Sequence, residues 1–527
     1  MRVLSNLRIG RIMAVDVQQG DHVGVESLDR LIKQVAKGGG TAFFGQGIGR
    51  VLLLLLQMLL TRVLGVGGYG VYALGYSVLG VAQALASLGL QNGVVRFGAM
   101  HHGVGDSASL KGTLVFCIGV SFTSALCGGV ALFSLSYPIA VKAFGEPELA
   151  LPLRLFAIAL PFHTVMMVAS FSARAFRRID YEIAVHRVLW PFLTLLTSGV
   201  SFLLGYRLIG AIAGFAVSTA LAAVVGLWLL YRIFPDLLSN LKARFQPKAL
   251  LGYSCAALLV GLSSVLLART DRIMLGILRS AEDVGIYNTS VTMAAQATVF
   301  LISFNTIFAP VVTDLYHRGL MEDLKRLFRT TTKWILALTL PVTLVLVLFA
   351  QPIMRLFGPG FAVGAPALIA LGAAQLVNAG VGSAGQMLIM TGRQKLELVN
   401  CIAALGLNVL MNLFLIPRYG ALGAGIATGT SIALVNIARL IEVYFLYNIH
   451  PYKSSCWKVL ASGTLAATTW IGISRFLVLK SWQCVGGVAL FAIVYLVVLV
   501  ALGLDEEDRM VLRALRRQIS RLMRGPG

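Results

Sequence analysis

The stretch "GQGIGRVLLLLLQMLLTRVLG", Gly45–Gly65, decides how this chain is read. It is an apolar run of membrane length that holds a cation, Arg50. A bilayer core about 30 Å thick needs roughly 20 apolar residues in a helix. Runs of that kind recur from about residue 39 to about residue 503. The 527 residues are 57% hydrophobic and only 13% charged, with a mean hydropathy of +0.83. A soluble domain of that composition would expose far too much apolar surface. The expected fold class is an all-α polytopic membrane protein, because helices satisfy their own backbone in lipid.

Length and flanking charge place about 14 spans. They lie near 40–62, 70–92, 111–133, 151–172, 183–205, 209–232, 251–276, 284–308, 333–355, 364–389, 397–416, 421–446, 457–478 and 483–503. Pro161, Pro191, Pro310 and Pro341 fall inside spans and mark kinks. The first 38 residues lack the apolar core and cleavage pattern of a signal peptide, so the first span is expected to insert the chain.

The net charge is +22. Of the 44 Lys and Arg, about 30 sit at the two termini and in alternate loops, and about 6 in the opposite loops. That bias puts both termini in the cytoplasm and turns the basic excess toward anionic membrane lipids, at about 1 kcal/mol per residue near the surface. Nucleic acid is not the expected partner. The six cysteines lie in apolar surroundings without CxxC spacing and read as helix-packing residues.

The chain also repeats itself. "YGVYALGYSV" at 69–78 resembles "VGIYNTSVTM" at 284–293, aligning Gly70 with Gly285 and Tyr72 with Tyr287. "RIDYEI" at 178–183 matches "RQKLEL" at 393–398, pairing Glu182 with Glu397, and "AGFAVSTALA" at 213–222 matches "AGIATGTSIA" at 424–433. The offset covers about six helices, an even number, so the copies point the same way. The expected organisation is an arm with an interfacial helix (1–38), a first six-helix lobe (39–234), a linker (235–250), a second lobe (251–450), two further helices (451–503) and a basic amphipathic tail (504–527).

Arg50 lies about 15 Å inside its helix at 1.5 Å per residue. A lone cation at that depth costs at least ~2.5–3.5 kcal/mol. Gln46, Arg50, Gln57 and Thr61 fall on one stripe, with leucines opposite. Arg50 therefore faces other helices or a wet cavity, either as a structural arginine paired to a neighbouring carbonyl or carboxylate, or as an anion-binding group. In "LLARTDRIMLG", 266–276, the offset sets Arg272 against Gln57. Tyr253, Ser264 and Asp271 share a stripe there. Asp271 reads as a partner for an arginine across the lobes, or as a carboxylate that takes up a proton or cation during transport. Arg187 is a further cavity candidate. Arg439 and Glu442, three residues apart, are expected to neutralise each other, and His163 to pack between helices. No GxxxxGK[ST], HExxH or GxSxG pattern occurs, and no cofactor or metal is expected.

Several short motifs resemble the polysaccharide flippases of the multidrug/oligosaccharidyl-lipid/polysaccharide exporter superfamily. They are "TRVLGVGGYGVYAL", "TDRIMLGILRSAEDVGIYNTSV", "FAPVVTDLYHRGLMEDLKRLFRTTTKWILALTLP" and "LIPRYGALGAGIATG", and the likeness runs from about residue 38 to about 450. The resemblance implies two lobes that close alternately around a central cavity, and no enzymatic activity. It implies a polyprenyl-pyrophosphate-linked oligosaccharide as cargo, with polysaccharide-assembly proteins as partners, in the bacterial cytoplasmic membrane. Cavity arginines of the first helix hold the pyrophosphate in that family, and Arg50 is the residue here that fits. Rival expectations are a lipid II flippase, a cation-coupled drug antiporter of the same superfamily, which would favour an anionic cavity, and a membrane-embedded glycosyltransferase, which would need a larger outer loop.

Overall fold

The structure, a computed structural model, describes residues 24–476, 483–503, 505 and 508. The first 23 residues and nearly all of the expected basic tail lie outside the described residues. The N-terminal half contains α1 (Gly24–Ala86), α2 (Leu90–Gly103), α3 (Ser107–Pro138), α4 (Ala150–Ser172), α5 (Ile179–Glu182), α6 (Trp190–Leu203) and α7 (Leu208–Ile233). The C-terminal half contains α8 (Pro247–Leu278), α9 (Ala281–Ala294), α10 (Val299–His317), α11 (Met321–Leu348), α12 (Ala350–Arg355), α13 (Ala365–Val381), α14 (Ala384–Met390) and α15 (Gln394–Tyr447). Two more helices follow, α16 (Cys456–Phe476) and α17 (Gln483–Ala501).

Ten helical segments among the described residues are long and apolar enough to cross a membrane. The two longest, Gly47–Ala86 and Gln394–Tyr447, are too long for a single crossing. Gly47–Ala86 has 40 residues, about 60 Å at 1.5 Å each, against a hydrocarbon core of about 30 Å. The break falls at Gly65 (φ 69°, ψ −173°), a left-handed backbone that a Cβ would strain. Gln394–Tyr447 breaks in the same way at Gly420 (φ 54°). The amphipathic stretch from Ser27 is helical and runs directly into the first span, so it is not a separate interfacial helix.

Helices in lipid gain little from hydrophobic burial against one another and associate through close packing and interhelical hydrogen bonds. Three of the four span prolines serve this association. Each removes a backbone N–H and frees the carbonyl four residues earlier. Pro161 frees the carbonyl of Ala157, and a Cβ on Gly129 of α3 would lie 2.8 Å from that oxygen. Pro341 frees Ala337, whose carbonyl accepts from the Tyr495 hydroxyl at 2.8 Å. Pro191 frees Arg187 at the end of the π-helical segment Ile183–Leu189, and a Cβ on Gly49 of α1 would lie 2.2 Å from that oxygen. The kinks are thus contact points between helices.

The loops at residues 103–107, 176–179, 233–247, 317–321, 390–394 and 447–456 gather at one end of the bundle, called here the basic end. Asp106 caps α3 there by accepting from the Ser109 N–H at 3.0 Å, which holds its carboxyl below the usual range. At the same end Arg174 grips Glu182 with two guanidinium nitrogens, and Arg439 grips Glu397. These two glutamates are the ones the repeat aligns. Arg439 therefore does not neutralise Glu442, as the spacing suggested: Glu442 instead accepts from Asn400 Nδ2 at 2.7 Å. A bidentate guanidinium–carboxylate fork across two helices outcompetes the looser pair on one helix.

Candidate functional site

The two halves meet at the end opposite the basic loops, and again where α2 packs on α8, where a Cβ on Gly89 would lie 2.1 Å from the Ser254 carbonyl oxygen. A Cβ on Gly70 would sit 1.8 Å from the Ala281 carbonyl oxygen, and one on Gly285 2.6 Å from that of Val66. The repeat-related glycines thus bring repeat-related hairpins into contact. Three hydrogen bonds span this closure. Asn288 Nδ2 donates to the Tyr69 hydroxyl at 2.6 Å, the Ala281 N–H to Glu146 Oε1 at 3.2 Å, and Arg62 Nε to the Leu356 carbonyl at 2.9 Å. Along the α1–α8 seam, Arg269 lies over the Tyr76 ring at 4.7 Å and donates to its carbonyl at 3.1 Å. Nearer the basic end Arg96 lies over Tyr253 at 4.4 Å. Each half therefore sets an arginine on a tyrosine of the other, a contact worth about 0.5–2 kcal/mol.

The α1 stripe descends into this closure. Arg50 is half-buried, Gln57 is 6% exposed and Thr61 1%. Thr61 gives its hydroxyl to the Met58 carbonyl of its own helix at 3.1 Å. The Gln57 amide nitrogen is buried without a partner among the described residues, and no hydrogen bond or ion pair among them engages Arg50. Arg187, exposed on the π-helical segment, lies close enough for its charge to repel that of Arg50. Among the described residues, the neighbours of Arg50 offer no counter-charge. Gln46 lies on α1 with its side chain outside the described part.

From the other half, Arg272 donates Nη1 to its own helix at Ala268 and leaves Nε buried without a partner. Arg272 and Gln57 both lie beside the Tyr69 hydroxyl, so the structure brings together the two positions that the repeat aligned. Helical rise puts Gln57 about 10 Å from the level of Arg50.

Asp271 does not face an arginine across the halves. It is 4% exposed and accepts from Thr428 Oγ1 at 2.7 Å, Tyr287 at 2.8 Å and Asn412 Nδ2 at 3.2 Å. Its partners are neutral, and all belong to α9 and α15 of its own half. The stripe that joined it to Tyr253 and Ser264 does not form one site. Tyr253 packs on Arg96 and Phe97 of the first half, and Ser264 is exposed with its hydroxyl on Val260. One face of a helix, followed from Tyr253 to Asp271, meets different neighbours at its two ends.

Sequence reasoning missed Arg269, although it stands in the stretch quoted for Asp271, and it missed Tyr69, Tyr76, Asn288, Thr428, Asn412 and Asn408, which accepts from Asn412 Nδ2 at 2.9 Å and donates to Thr428 Oγ1 at 3.2 Å. The two asparagines, four residues apart inside a span, were the legible signal. Lys333, at the basic end of α11, was missed too. Its Nζ lies 2.7 Å from Asp505 and 2.6 Å from Asp508, beside a cavity of about 100 Å³ lined with Trp334, Ser455 and Lys458.

Two related helical halves thus close on each other, and the arginines Arg50 and Arg272 along their junction have no ion-pair partner among the described residues. Residues 35–315 match the family described as "Polysaccharide biosynthesis protein". The chain belongs to this polysaccharide biosynthesis family. Its relatives include the probable flippase AglR of Haloferax volcanii, 22% identical over 396 residues, covering 73% of this chain and 78% of the relative. The probable low-salt glycan biosynthesis flippase Agl15 of the same organism is 21% identical over 237 residues, covering 44% and 50%. Among solved structures, the lipid II flippase MurJ in an inward closed conformation superposes with a TM-score of 0.66 at 14% identity, covering 86% of this chain and 97% of that one. An inward-facing multidrug resistance transporter of the MATE family, in the MOP superfamily, superposes at 0.63 with 16% identity, covering 77% and 98%. This member of the polysaccharide biosynthesis family is thus a multi-pass membrane protein with the all-α MOP transporter fold, and its relatives are flippases and transporters, not enzymes.

Proposed function

We propose that this protein is a flippase that moves a polyprenyl-pyrophosphate-linked oligosaccharide across the cytoplasmic membrane by alternating access, with both termini and the basic end in the cytoplasm. The carrying observation is Arg50, a half-buried cation in a span with no hydrogen-bonded or ion-paired partner among the described residues. A pyrophosphate supplies the charge that the surrounding helices do not, and a guanidinium meets it with paired hydrogen bonds. Arg272 and Gln57, each with a buried unpartnered nitrogen, extend the same surface toward the closed end and suit the oligosaccharide's oxygens. Arg187 adds a second cation at the level of Arg50.

The cationic character of this surface disfavours drug–cation antiport. The flippase names of the relatives support the reading, as does the inward closed fold match. Asp271 takes the coupling role: its carboxylate, held by one amide and two hydroxyls, accepts a proton or a cation as the halves exchange. The basic loops rest on anionic lipid, and polysaccharide-assembly proteins receive the product.

The test is flipping in proteoliposomes of a fluorescent polyprenyl-pyrophosphate oligosaccharide, with lipid II as a second probe. Arg50→Ala should insert normally and lose flipping of the first probe. Wild-type rates from that variant would refute the assignment of Arg50, and transport of lipid II alone would refute the proposed cargo.

A further inference from the structure

Behind the Arg50 wall lies a set of groups that the transport reading leaves unused. His163 of α4 and His186 of the π-helical segment sit on either side of Trp190. Ring centroids are 5.9 Å apart in both pairs, one edge-on and one stacked. His163 is 8% exposed and Trp190 7%. His163 Nδ1, His186 Nδ1 and Trp190 Nε1 are all buried without a hydrogen-bond partner among the described residues. Three unpaired ring nitrogens in one cluster cost several kcal/mol if nothing ever occupies them. The π-helical turn that places His186 here is itself a geometry common at functional sites.

The cluster is connected to the seam between the halves. His163 packs on Phe215 at 5.8 Å, Phe215 on Tyr76 at 5.8 Å, and Tyr76 carries the Arg269 guanidinium of the other half at 4.7 Å. The charged and titratable groups whose fields reach the two imidazoles are few. His163 faces His186 and Arg269. His186 faces Arg187 on its own segment, and the paired Arg174 and Glu182. Only one of these is a carboxylate, and Arg174 already holds it.

We propose that His163 and His186, sharing the Trp190 ring, form one proton-carrying site in the N-terminal half, and that loading it loosens the Arg269–Tyr76 contact between the halves. The proton comes from water and binds the lone pair of one unpartnered imidazole nitrogen. The indole face stabilises the resulting cation, as aromatic rings do. A second proton is disfavoured, because two imidazoliums would flank one ring. The bound charge repels Arg269 through the Phe215–Tyr76 stack. That repulsion is relieved when Arg269 leaves Tyr76 and the seam parts. Proton binding thereby favours the conformation open at the end away from the basic loops. This proposal rests on the alternating-access reading above and adds a coupling site separate from Asp271.

An imidazolium beside an indole quenches its emission, which gives a direct readout. The emission of Trp190 is obtained in nanodiscs as the difference between wild type and W190F, and followed against pH. A single quenching step as pH falls is expected in wild type and should vanish in H163Q/H186Q. The single variants H163Q and H186Q give folded alternatives if the double variant fails, each keeping one acceptor and a displaced midpoint. In parallel, spin labels at Leu203 and Val363, both exposed at the closing end, report the distance between halves without substrate. That distance should lengthen as pH falls in wild type, and not in H163Q/H186Q. A pH-independent Trp190 signal, or a separation that responds to pH equally in both proteins, would overturn the proposal. R50A separates the two readings. It should lose flipping while keeping the quenching step, so a failure of cargo transport and a failure of proton loading give different patterns.

Discussion

Replacing Gly70 with alanine should hold the two halves apart while leaving each intact. The new methyl carbon would lie 1.8 Å from the Ala281 carbonyl oxygen and 2.5 Å from its carbon, both backbone atoms that cannot rotate away. Ordinary contact begins at 3.4 Å, so the surfaces must separate by roughly 1.6 Å at this point, the difference between 3.4 and 1.8 Å. The helix itself should gain as much as ~1 kcal/mol, because alanine is the better helix former. Three hydrogen bonds depend on the closure: Asn288 to Tyr69, Ala281 to Glu146, and Arg62 to Leu356. At about 0.5–1.5 kcal/mol net for each, their loss shifts the closed-to-open balance by about 1.5–4.5 kcal/mol, a factor of roughly ten to more than a thousand. Double electron–electron resonance between labels at Leu203 and Val363, in a chain with its six native cysteines replaced, measures that balance. The G70A population should move to longer distances, with thermal stability unchanged or slightly raised. A distance distribution identical to wild type in a folded G70A protein would refute the claim that these glycines set the closure.

Asp271→Asn should destabilise the C-terminal half by about 1–3 kcal/mol, since an amide cannot accept from all three surrounding donors; thermal unfolding in detergent checks this, and an unchanged midpoint would contradict it. Lys333→Met should release the segment at Asp505 and Asp508, seen as faster proteolysis after residue 503. In the wild-type protein, burial alone would raise both carboxyls, but hydrogen bonds from Lys333, joined by Ser455 and Lys458 at Asp505 and by Trp334 at Asp508, outweigh it and hold both below the ordinary carboxylate range. A depressed carboxyl contributes stability above its unfolded value, near pH 4, and loses it as pH falls toward the folded value. Protection of this segment should therefore persist at neutral pH and fail only in acid. Tyr495→Phe removes the donor to the carbonyl freed by Pro341 and should cost about 1 kcal/mol, read as a lower unfolding temperature with flipping retained.

How much was legible followed from the range of each interaction. The stripe of Gln57, Arg50 and Thr61 depends only on 100° per residue, and the structure keeps it on the inward side of α1 with burial increasing toward the closed end. The repeat was legible because a duplicated half preserves local spacing, and Gly70 and Gly285 indeed occupy matching places. Partner choice was not legible. Arg439 had Glu442 within one turn, yet a partner 42 residues away offered a bidentate fork. Asp271 finds its donors 16, 141 and 157 residues away, beyond any periodicity.

The amino-acid sequence alone determined that this chain lives in a bilayer as helices and that it carries a cation inside its first span. Lipid admits only long apolar runs with internally satisfied backbones, and that constraint is written residue by residue. Tertiary structure decided which end is closed, which freed carbonyls receive a neighbouring helix, and that Arg50 stays without a partner among the described residues while Asp271 does not. Those outcomes depend on how helices distant in sequence are set against one another, a matter of shape and hydrogen-bond geometry that no single helix encodes.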